Sequence, residues 1–263
     1  MGKRIAIIGG GNLGTAIAEG LLKSKFSKAS DIIVTKRNTA TLKSLEKKGI
    51  TISSDNADAV KKSEVIILAI KPFQVTEVLN DIKKELTNNK LLISVVTGVL
   101  ISEMNEVTKK SLPVFRAMPN TAIAIQESMT CICSENAAAD DVRYVNELFS
   151  KLGKVVTINE KLMEAATILG ACGTAYAMRY IRANIQGGIE IGFDAATASL
   201  ISAQTVKGAA ELLLQKGSHP EQEIDKVTTP KGCTIAGLNE MEHRGFSSSL
   251  IRGVVASYKK IER

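Results

Sequence analysis

The stretch that decides the fold is Arg4-Ile5-Ala6-Ile7-Ile8-Gly9-Gly10-Gly11-Asn12-Leu13-Gly14. A short aliphatic run leads directly into a GxGxxG turn, and an amphipathic segment follows. This order of strand, glycine turn and helix is the setting in which the pattern holds the pyrophosphate of a dinucleotide. We expect Gly9 to allow the tight turn, Gly11 to let the backbone approach the pyrophosphate, and Gly14 to let helix and strand pack closely. The cofactor contacts predicted for this turn are Ile8, Gly9, Gly11, Asn12, Leu13 and Gly14.

The first half of the chain alternates short aliphatic runs with amphipathic segments. Runs that are apolar on every residue indicate strands covered on both faces, as in a parallel sheet. Their alternation with helical segments predicts an α/β fold, a Rossmann-type doubly wound parallel sheet. The predicted strands are 4–9, 31–35, 65–70, 91–96, 113–117 and 129–133, and the predicted helices between them include 12–24, 39–48 and 74–86.

The second half reads as all-helical. From residue 160 onward the chain is rich in Ala, Leu, Met and Ile, and Asp194 is placed as the N-cap of a helix that runs to Gln215. We therefore divide the chain into a dinucleotide-binding domain at 1–158 and a helical domain at 159–263. Wide apolar faces on these helices can pair with another subunit or pack within one chain.

Composition limits the classes of function. The surplus charge of +7 falls on the first 110 residues, and the rest of the chain is neutral. Trp is absent and aromatic residues make up only 4%, so we expect no nucleic-acid partner. No apolar run approaches 18 residues, so no membrane span is expected. Four cysteines without a CxxC pair and two histidines predict no metal site, and reduced thiols suit a cytoplasmic location.

The end of the second strand bears on the choice between NADPH and NADH. An acidic residue usually stands there when NADH is preferred, because it binds the ribose hydroxyls. This chain has Thr35-Lys36-Arg37-Asn38 instead. A guanidinium can bind a 2′-phosphate through two hydrogen bonds. We therefore predict NADPH as the cofactor, with NADH possible, and we assign the phosphate contacts to Thr35 and Arg37.

Four stretches resemble one enzyme family over almost the whole chain. They are the glycine turn, Ile67-Leu68-Ala69-Ile70-Lys71-Pro72, Arg116-Ala117-Met118-Pro119-Asn120-Thr121, and the block from His219 through Thr228-Thr229-Pro230-Lys231-Gly232-Cys233-Thr234 to Phe246. They are similar to motifs of the pyrroline-5-carboxylate reductases. The resemblance implies transfer of a hydride from NADPH to the imine carbon of Δ1-pyrroline-5-carboxylate, a small-molecule substrate. It also implies a helical dimerisation domain, in a homodimer or a ring of dimers.

The resemblance also implies roles for single residues. Thr234 matches a threonine that contacts the substrate, and it is our catalytic candidate because its hydroxyl can hydrogen-bond the ring nitrogen. An N-cap for a helix from Ile235 is an equally natural use of that hydroxyl. The substrate contacts implied are Glu160, Thr229, Gly232, Cys233 and Thr234. The further cofactor contacts implied are Asn56, Ala69, Lys71, Pro72, Thr97 and Gly98.

Two departures from the family pattern bear on the substrate range. The family usually has two glycines after the signature proline, where this chain has Lys231 and Gly232. The Lys231 side chain either assists a substrate carboxylate or points into solvent. The chain also has Gly170-Ala171-Cys172-Gly173-Thr174 where the family usually has a Ser-Gly-x-Gly run followed by proline.

Two other functions compete with this interpretation. A β-hydroxyacid dehydrogenase would share the two-domain plan. Oxidation of an alcohol needs a group that takes its proton, and the resemblance to that family would imply a lysine on a helix for this role. No lysine lies between Lys161 and Lys207, and arginines are poor proton acceptors. A redox sensor that binds NADP without catalysis is the second alternative. The intact Thr229–Thr234 block disfavours it.

Overall fold

The computed structural model describes residues 2–261. Its contacts divide the chain into two compact units, one that ends at Cys172 and one that begins at Gly173. Each unit is described by itself. The functional domain boundary after residue 158, which the sequence suggested, is a different division of the chain and stays a prediction.

The first unit is built on one eight-stranded sheet. Its order is β3-β2-β1-β4-β5-β6-β7-β8, and every neighbouring pair is parallel except β6 and β7. The predicted doubly wound parallel sheet is therefore present, with its last two strands reversed. The strands are β1 Ile5–Ile8, β2 Ile32–Thr35, β3 Thr51–Ser53, β4 Val65–Leu68, β5 Leu91–Ser94, β6 Val114–Met118, β7 Ser128–Glu135 and β8 Gly153–Thr157.

Helices connect these strands and cover both faces of the sheet. Five short 3-10 turns, at Ala29–Asp31, Thr39–Leu42, Pro72–Gln74, Thr121–Ile125 and Glu160–Leu162, and one π-helical turn at Thr167–Cys172 complete the unit. The helices are α1 Asn12–Lys23, α2 Lys43–Glu46, α3 Asn56–Lys61, α4 Val75–Ile82, α5 Ile101–Thr108, α6 Ala139–Ser150 and α7 Met163–Ala166.

Successive residues of each strand supply two separate cores. Ile5 and Ile7 of β1 pack into one apolar cluster, whereas Ala6 and Ile8 pack into the other. This alternation follows from the two-residue period of a strand, and it explains why the central strands are aliphatic at every position. The same period places Cys131 and Cys133 in one cluster.

Over the described residues 173–261, the second unit has helices and no strand, as predicted. Asp194 caps α9, because its carboxylate accepts hydrogen bonds from the backbone N–H groups of Ala196 and Thr197, both at 3.0 Å. Of the described residues in this unit, only Ala198 and Ser202 are fully buried. The helices are α8 Gly173–Glu190, α9 Ala195–Lys216, α10 Pro220–Lys226, α11 Cys233–His243 and α12 Phe246–Ile261.

Two strands were missed by the sequence interpretation. β3 and β8 form the two edges of the sheet. An edge strand is half solvated, so Thr51-Ile52-Ser53 and Gly153-Lys154-Val155-Val156-Thr157 lack the continuous aliphatic character of the central strands.

Over residues 2–261, no helix has the length and apolar character that crossing a membrane requires.

Candidate active site

The glycine turn between β1 and α1 is closed by backbone contacts. Gly9 has φ +113°, and the N–H groups of Gly9 and Gly10 donate to the carbonyl oxygen of Thr35 at 3.1 and 2.7 Å. A Cβ on Gly9 would lie 2.3 Å from the Ala69 carbonyl oxygen, and one on Gly14 would lie 2.0 Å from the Gly9 carbonyl oxygen. Side chains at either position would overlap backbone atoms, so both glycines are required.

The space above this turn suits a pyrophosphate. Gly11 is the N-cap of α1, and a Cβ added to it would meet nothing within 4 Å. The first turn of α1 holds no acidic residue, so the free N–H groups around Asn12 and Leu13 offer an uncompensated positive dipole end. The residues present therefore fit a dinucleotide. NADPH contacts by Ile8, Gly11, Asn12 and Leu13 remain predictions.

The ends of β2 and β4 lie beside the turn. Thr35 is buried, and its hydroxyl donates to Oδ1 of Asn56, the first residue of α3, at 2.6 Å. The N–H of Ala69 donates to the carbonyl oxygen of Ile8 at 2.8 Å. The structure thus brings Gly9, Thr35, Asn56 and Ala69 together. Because the Thr35 hydroxyl already donates to Asn56, Arg37 is better placed than Thr35 to bind the 2′-phosphate.

Arg37 pairs with a residue that the sequence interpretation did not consider. Its Nη2 lies 3.2 Å from Oε1 of Glu77 in α4, and 78% of the arginine side chain is exposed. An ion pair this exposed contributes about 0–1 kcal/mol, so a phosphate can displace the carboxylate at little cost. Lys71 and Pro72 lie between β4 and α4, where the Lys71 N–H donates to Gln74 Oε1 at 3.2 Å.

Thr97 and Gly98 follow the carboxyl end of β5. The hydroxyl of Thr97 lies 3.9 Å from Sδ of Met118 at the end of β6, within the range of a hydrogen bond to sulfur. Gly98 precedes the first residue of α5 by three positions. Both predicted cofactor residues therefore lie at the same end of the strands as the glycine turn, because β1, β4 and β5 are parallel.

A buried arginine organises the region around Glu160. Arg116 of β6 is 1% exposed, and its Nη1 and Nη2 lie 3.1 Å from Oε1 of Glu160 and 2.9 Å from Oε1 of Glu164. The N–H of Ile101, the first residue of α5, donates to the same Glu160 oxygen at 2.9 Å. Glu160 is thus tied to both β6 and α5. The sequence signal for this cluster was a single cation in an otherwise aliphatic strand.

Cys133 lies opposite Arg116 on β7 and is chemically quiet. Burial in the apolar cluster, assisted by the charge of Glu160, raises the pKa of its thiol to about 11, although Arg116 acts in the opposite direction. A thiol with this pKa is protonated at neutral pH, so it is a poor nucleophile. We therefore give Cys133 no chemical role.

The substrate residues predicted in the second unit share one turn. The Gly232 N–H donates to the Thr229 carbonyl oxygen at 2.9 Å, and Gly232 is the N-cap of α11. α11 begins at Cys233, so Thr234 is its second residue, and the alternative use of Thr234 as an N-cap is wrong. A Cβ on Gly232 would lie 2.5 Å from the Thr229 hydroxyl oxygen and 3.0 Å from the Thr229 carbonyl oxygen, so a larger residue there would have to displace the Thr229 side chain.

Lys231 adopts the conformation that its glycine-bearing relatives would adopt easily. Its φ is +61°, in the left-handed region, and its side chain is exposed. A non-glycine residue in this region costs on the order of 1 kcal/mol or more. Lysine in place of the usual glycine therefore leaves the backbone at residue 231 locally strained.

Two family models match the chain. A model described as pyrroline-5-carboxylate reductase dimerisation matches residues 160–263, and one described as NADP oxidoreductase, coenzyme F420-dependent, matches residues 4–98. The first ends with the chain and covers the helical unit. The second covers the glycine turn, Arg37 and the Thr97-Gly98 segment.

Pyrroline-5-carboxylate reductases of one organism match almost the whole chain. It is 46% identical, over 97% of its length, to pyrroline-5-carboxylate reductase 1 of Dictyostelium discoideum, but spans only 49% of that protein. It is 43% identical to pyrroline-5-carboxylate reductase 2 of the same organism, over 98% of the chain and 92% of the relative. A crystal structure of Plasmodium falciparum pyrroline carboxylate reductase with NADP bound is 28% identical, covers 98% of this chain and 97% of that one, and superposes with a TM-score of 0.88. The chain belongs to the pyrroline-5-carboxylate reductase family.

Proposed function

We propose that this protein reduces Δ1-pyrroline-5-carboxylate to L-proline, the last step of proline biosynthesis, with NADPH as the reductant. The observation that carries the proposal is the 43% identity to a pyrroline-5-carboxylate reductase that the chain matches along 92% of its length. The glycine turn supports it independently, because its backbone geometry leaves room for a pyrophosphate above the first turn of α1.

The reaction asks little acid–base chemistry of the protein. A protonated imine is already electrophilic, and bound NADPH supplies the hydride that adds to its carbon. The nitrogen keeps its proton and becomes the ring amine of proline. The residues then serve mainly to orient and bind. Thr234 is proposed to hydrogen-bond the ring nitrogen, Thr229, Gly232 and Cys233 to hold the substrate carboxylate through their turn, and Glu160 to lie near the substrate.

Turnover tests the proposal directly. Absorbance of NADPH should fall when Δ1-pyrroline-5-carboxylate is added, and L-proline should form in equal amount. NADPH binding without turnover would instead favour a redox sensor, and turnover of a hydroxyacid alone would favour a β-hydroxyacid dehydrogenase. Neither alternative is supported by the relatives that the chain matches.

A pair of threonine variants tests the catalytic assignment. Thr234→Ala should lower kcat with pyrroline-5-carboxylate by about tenfold or more, because it removes a hydrogen bond to the reacting ring. Thr228→Ala is the matched control. The Thr228 hydroxyl donates to the carbonyl oxygen of Ile224 at 2.8 Å, so its loss should leave turnover unchanged. Equal turnover in the two variants would remove Thr234 from the mechanism.

The preference for NADPH is proposed to depend on Arg37. Arg37→Ala should raise KM for NADPH by roughly 10- to 100-fold and leave KM for NADH nearly unchanged, because only NADPH carries the 2′-phosphate. Steady-state kinetics with both cofactors measures this. Glu77→Gln is the matched control, since it frees Arg37 and should lower KM for NADPH by no more than about fivefold. Equal changes for both cofactors in Arg37→Ala would contradict the assignment.

We propose that the second unit forms a homodimer, and that dimers can associate further into a ring. Large apolar side chains are exposed on its helices and at their ends, and a dimerisation model matches this part of the chain. Those at least 60% exposed are Met178, Ile191, Leu200, Leu214, Val227 and Ile251. Apolar surface on this scale marks an interaction site on a folded protein.

A cytoplasmic location is also part of the proposal. All four cysteines are free, and Cys131 and Cys133 lie inside the sheet core. Free, buried thiols are typical of proteins that fold in a reducing compartment. Fractionation of the cells that produce the protein tests this location.

A further inference from the structure

Arg116 has no role in the proposed reaction so far, although it is among the most deeply buried large side chains of the chain. We propose that Arg116 is a positioning residue: it fixes the carboxylate of Glu160 so that the free oxygen of that carboxylate receives the cationic nitrogen of the bound imine. This inference deepens the proposed function and rests on it. Arg116 itself does not touch the substrate in this proposal.

The charges of the cluster leave one negative charge in excess. Arg116 supplies one positive charge to two carboxylates, those of Glu160 and Glu164. Glu160 is the more accessible partner, with 31% of its side chain exposed against 20% for Glu164. A ligand that reaches this cluster therefore meets the surplus charge on Glu160. That environment attracts a cation, and the substrate of the proposed reaction carries its positive charge on the ring nitrogen.

Hydrogen bonds fix which oxygen of Glu160 is available. Oε1 accepts both Nη1 of Arg116 and the N–H of Ile101, whereas no residue within 2–261 donates to Oε2. The two donors come from a strand and from the start of a helix, so the carboxylate cannot rotate without breaking both contacts. Oε2 is therefore held in one direction and remains available to accept a hydrogen bond from a ligand.

An arginine is needed for this arrangement. Its planar guanidinium contacts two carboxylates from separate elements at once, at 3.1 and 2.9 Å. A lysine ammonium is a point charge on a flexible stem and lacks this fork geometry. Arg116→Lys therefore keeps the charge of the cluster while loosening the direction of Glu160, which separates positioning from simple charge balance.

Kinetics of Arg116→Lys test the inference. We expect kcat/KM for pyrroline-5-carboxylate to fall by about 10- to 100-fold, carried mainly by KM, while KM for NADPH changes less than about twofold. In a Glu160→Ala background, adding Arg116→Lys should change KM for the imine by less than about twofold, because the group to be positioned is gone.

Lys90→Met is the matched structural control. Lys90 is a second buried cation, and its Nζ donates to the carbonyl oxygens of Val60 at 2.9 Å and Ser63 at 2.5 Å. Its loss should lower the melting temperature and leave both KM values unchanged. If Arg116→Lys behaves in the same way, Arg116 is merely structural and the inference is wrong.

A second variant covers the case in which Arg116→Lys does not fold. Arg116→Met combined with Glu164→Leu replaces a buried ion pair by apolar side chains, an exchange that proteins often tolerate. It leaves Glu160 with Ile101 as its single donor, so KM for the imine should again rise about 10- to 100-fold. Unchanged KM in this folded variant overturns the inference alone. An unmodified chain that does not turn over pyrroline-5-carboxylate overturns the proposed function and the inference together.

Discussion

The sheet unit and the helical unit differ in how deeply they bury apolar residues of the same types. Every residue of β1 and β4 is buried, and Ile5, Ile67 and Leu68 expose no surface. In the helical unit, α8, α11 and α12 bury no residue fully, and Leu200 of α9 is 71% exposed. The difference teaches that the first unit completes its own core, whereas the second unit, over the described residues 173–261, leaves much of its apolar surface exposed.

Glycine substitutions give the largest expected effect on this comparison. Gly14→Ala places a methyl group 2.0 Å from the Gly9 carbonyl oxygen, and the strand and helix cannot both hold their positions. We expect NADPH affinity to fall by about 100-fold or more, which a fluorescence titration measures. Gly208→Ala in α9 is the matched control, because nothing lies within 4 Å of its Cβ. It should stabilise the helix by about 0.5–1 kcal/mol.

The two glycine variants can also break the comparison. A Gly14→Ala chain with undiminished NADPH affinity would show that the turn tolerates movement and is less tightly packed than its contacts indicate. A Gly208→Ala chain that dissociates into monomers would place this part of α9 against a partner subunit and sharpen the description of the second unit.

Truncation of one aliphatic side chain in each unit gives the next largest effect. Ile67→Ala should lower the free energy of unfolding by about 2–5 kcal/mol, because it leaves a cavity among fully buried neighbours. This loss should be the same at every protein concentration. Leu200→Ala should instead weaken self-association by about tenfold, and its melting temperature should depend on concentration. Denaturant unfolding and sedimentation measure the two quantities.

The opposite result would contradict the comparison between the units. If Leu200→Ala lowered stability at all concentrations and left the association constant unchanged, Leu200 would contribute within its own chain. The apolar faces of α9 would then lose their value as support for the proposed dimer.

Lys231 gives the smallest expected effect. Lys231→Gly should raise the free energy of unfolding by about 1 kcal/mol, because glycine adopts φ +61° without steric cost. KM for pyrroline-5-carboxylate should not change if the lysine side chain points into solvent. A higher KM in the variant would show that the side chain assists the substrate carboxylate. Thermal unfolding and steady-state kinetics distinguish these outcomes.

Most of the sheet could be predicted from the sequence because its central strands are buried on both faces. All six predicted strands are present, and the glycine turn has the local geometry that its pattern implies. β3 and β8 could not be predicted in the same way. An edge strand has one neighbour and a solvated side, so Thr51, Ser53 and Lys154 are acceptable there and the aliphatic signal disappears.

The candidate site was less accessible to sequence reasoning, because its contacts join distant parts of the chain. Glu160 was named from the family resemblance, but its partner Arg116 lies 44 residues earlier, inside a strand that reads as apolar. Glu77 was missed for a similar reason, since it meets Arg37 across 40 residues. Side-chain pairs of this kind have no periodic signal. They become visible only when the sheet order sets which strand ends are neighbours.

The burial of Lys90 bears on labelling experiments in which lysine-reactive reagents probe the protein surface. Among the lysines of residues 2–261 it alone is buried, and burial lowers the pKa of its ammonium group. Because the Lys90 amine is buried, acylating reagents will modify its exposed neighbours Lys61 and Lys62 while the fold is closed. The rate at which Lys90 is acetylated therefore measures how often the junction between α3 and β4 opens. Acetylation of Lys90 thus reports local unfolding at the amino ends of β4 and β5, away from the glycine turn at the carboxyl ends of β1 and β4.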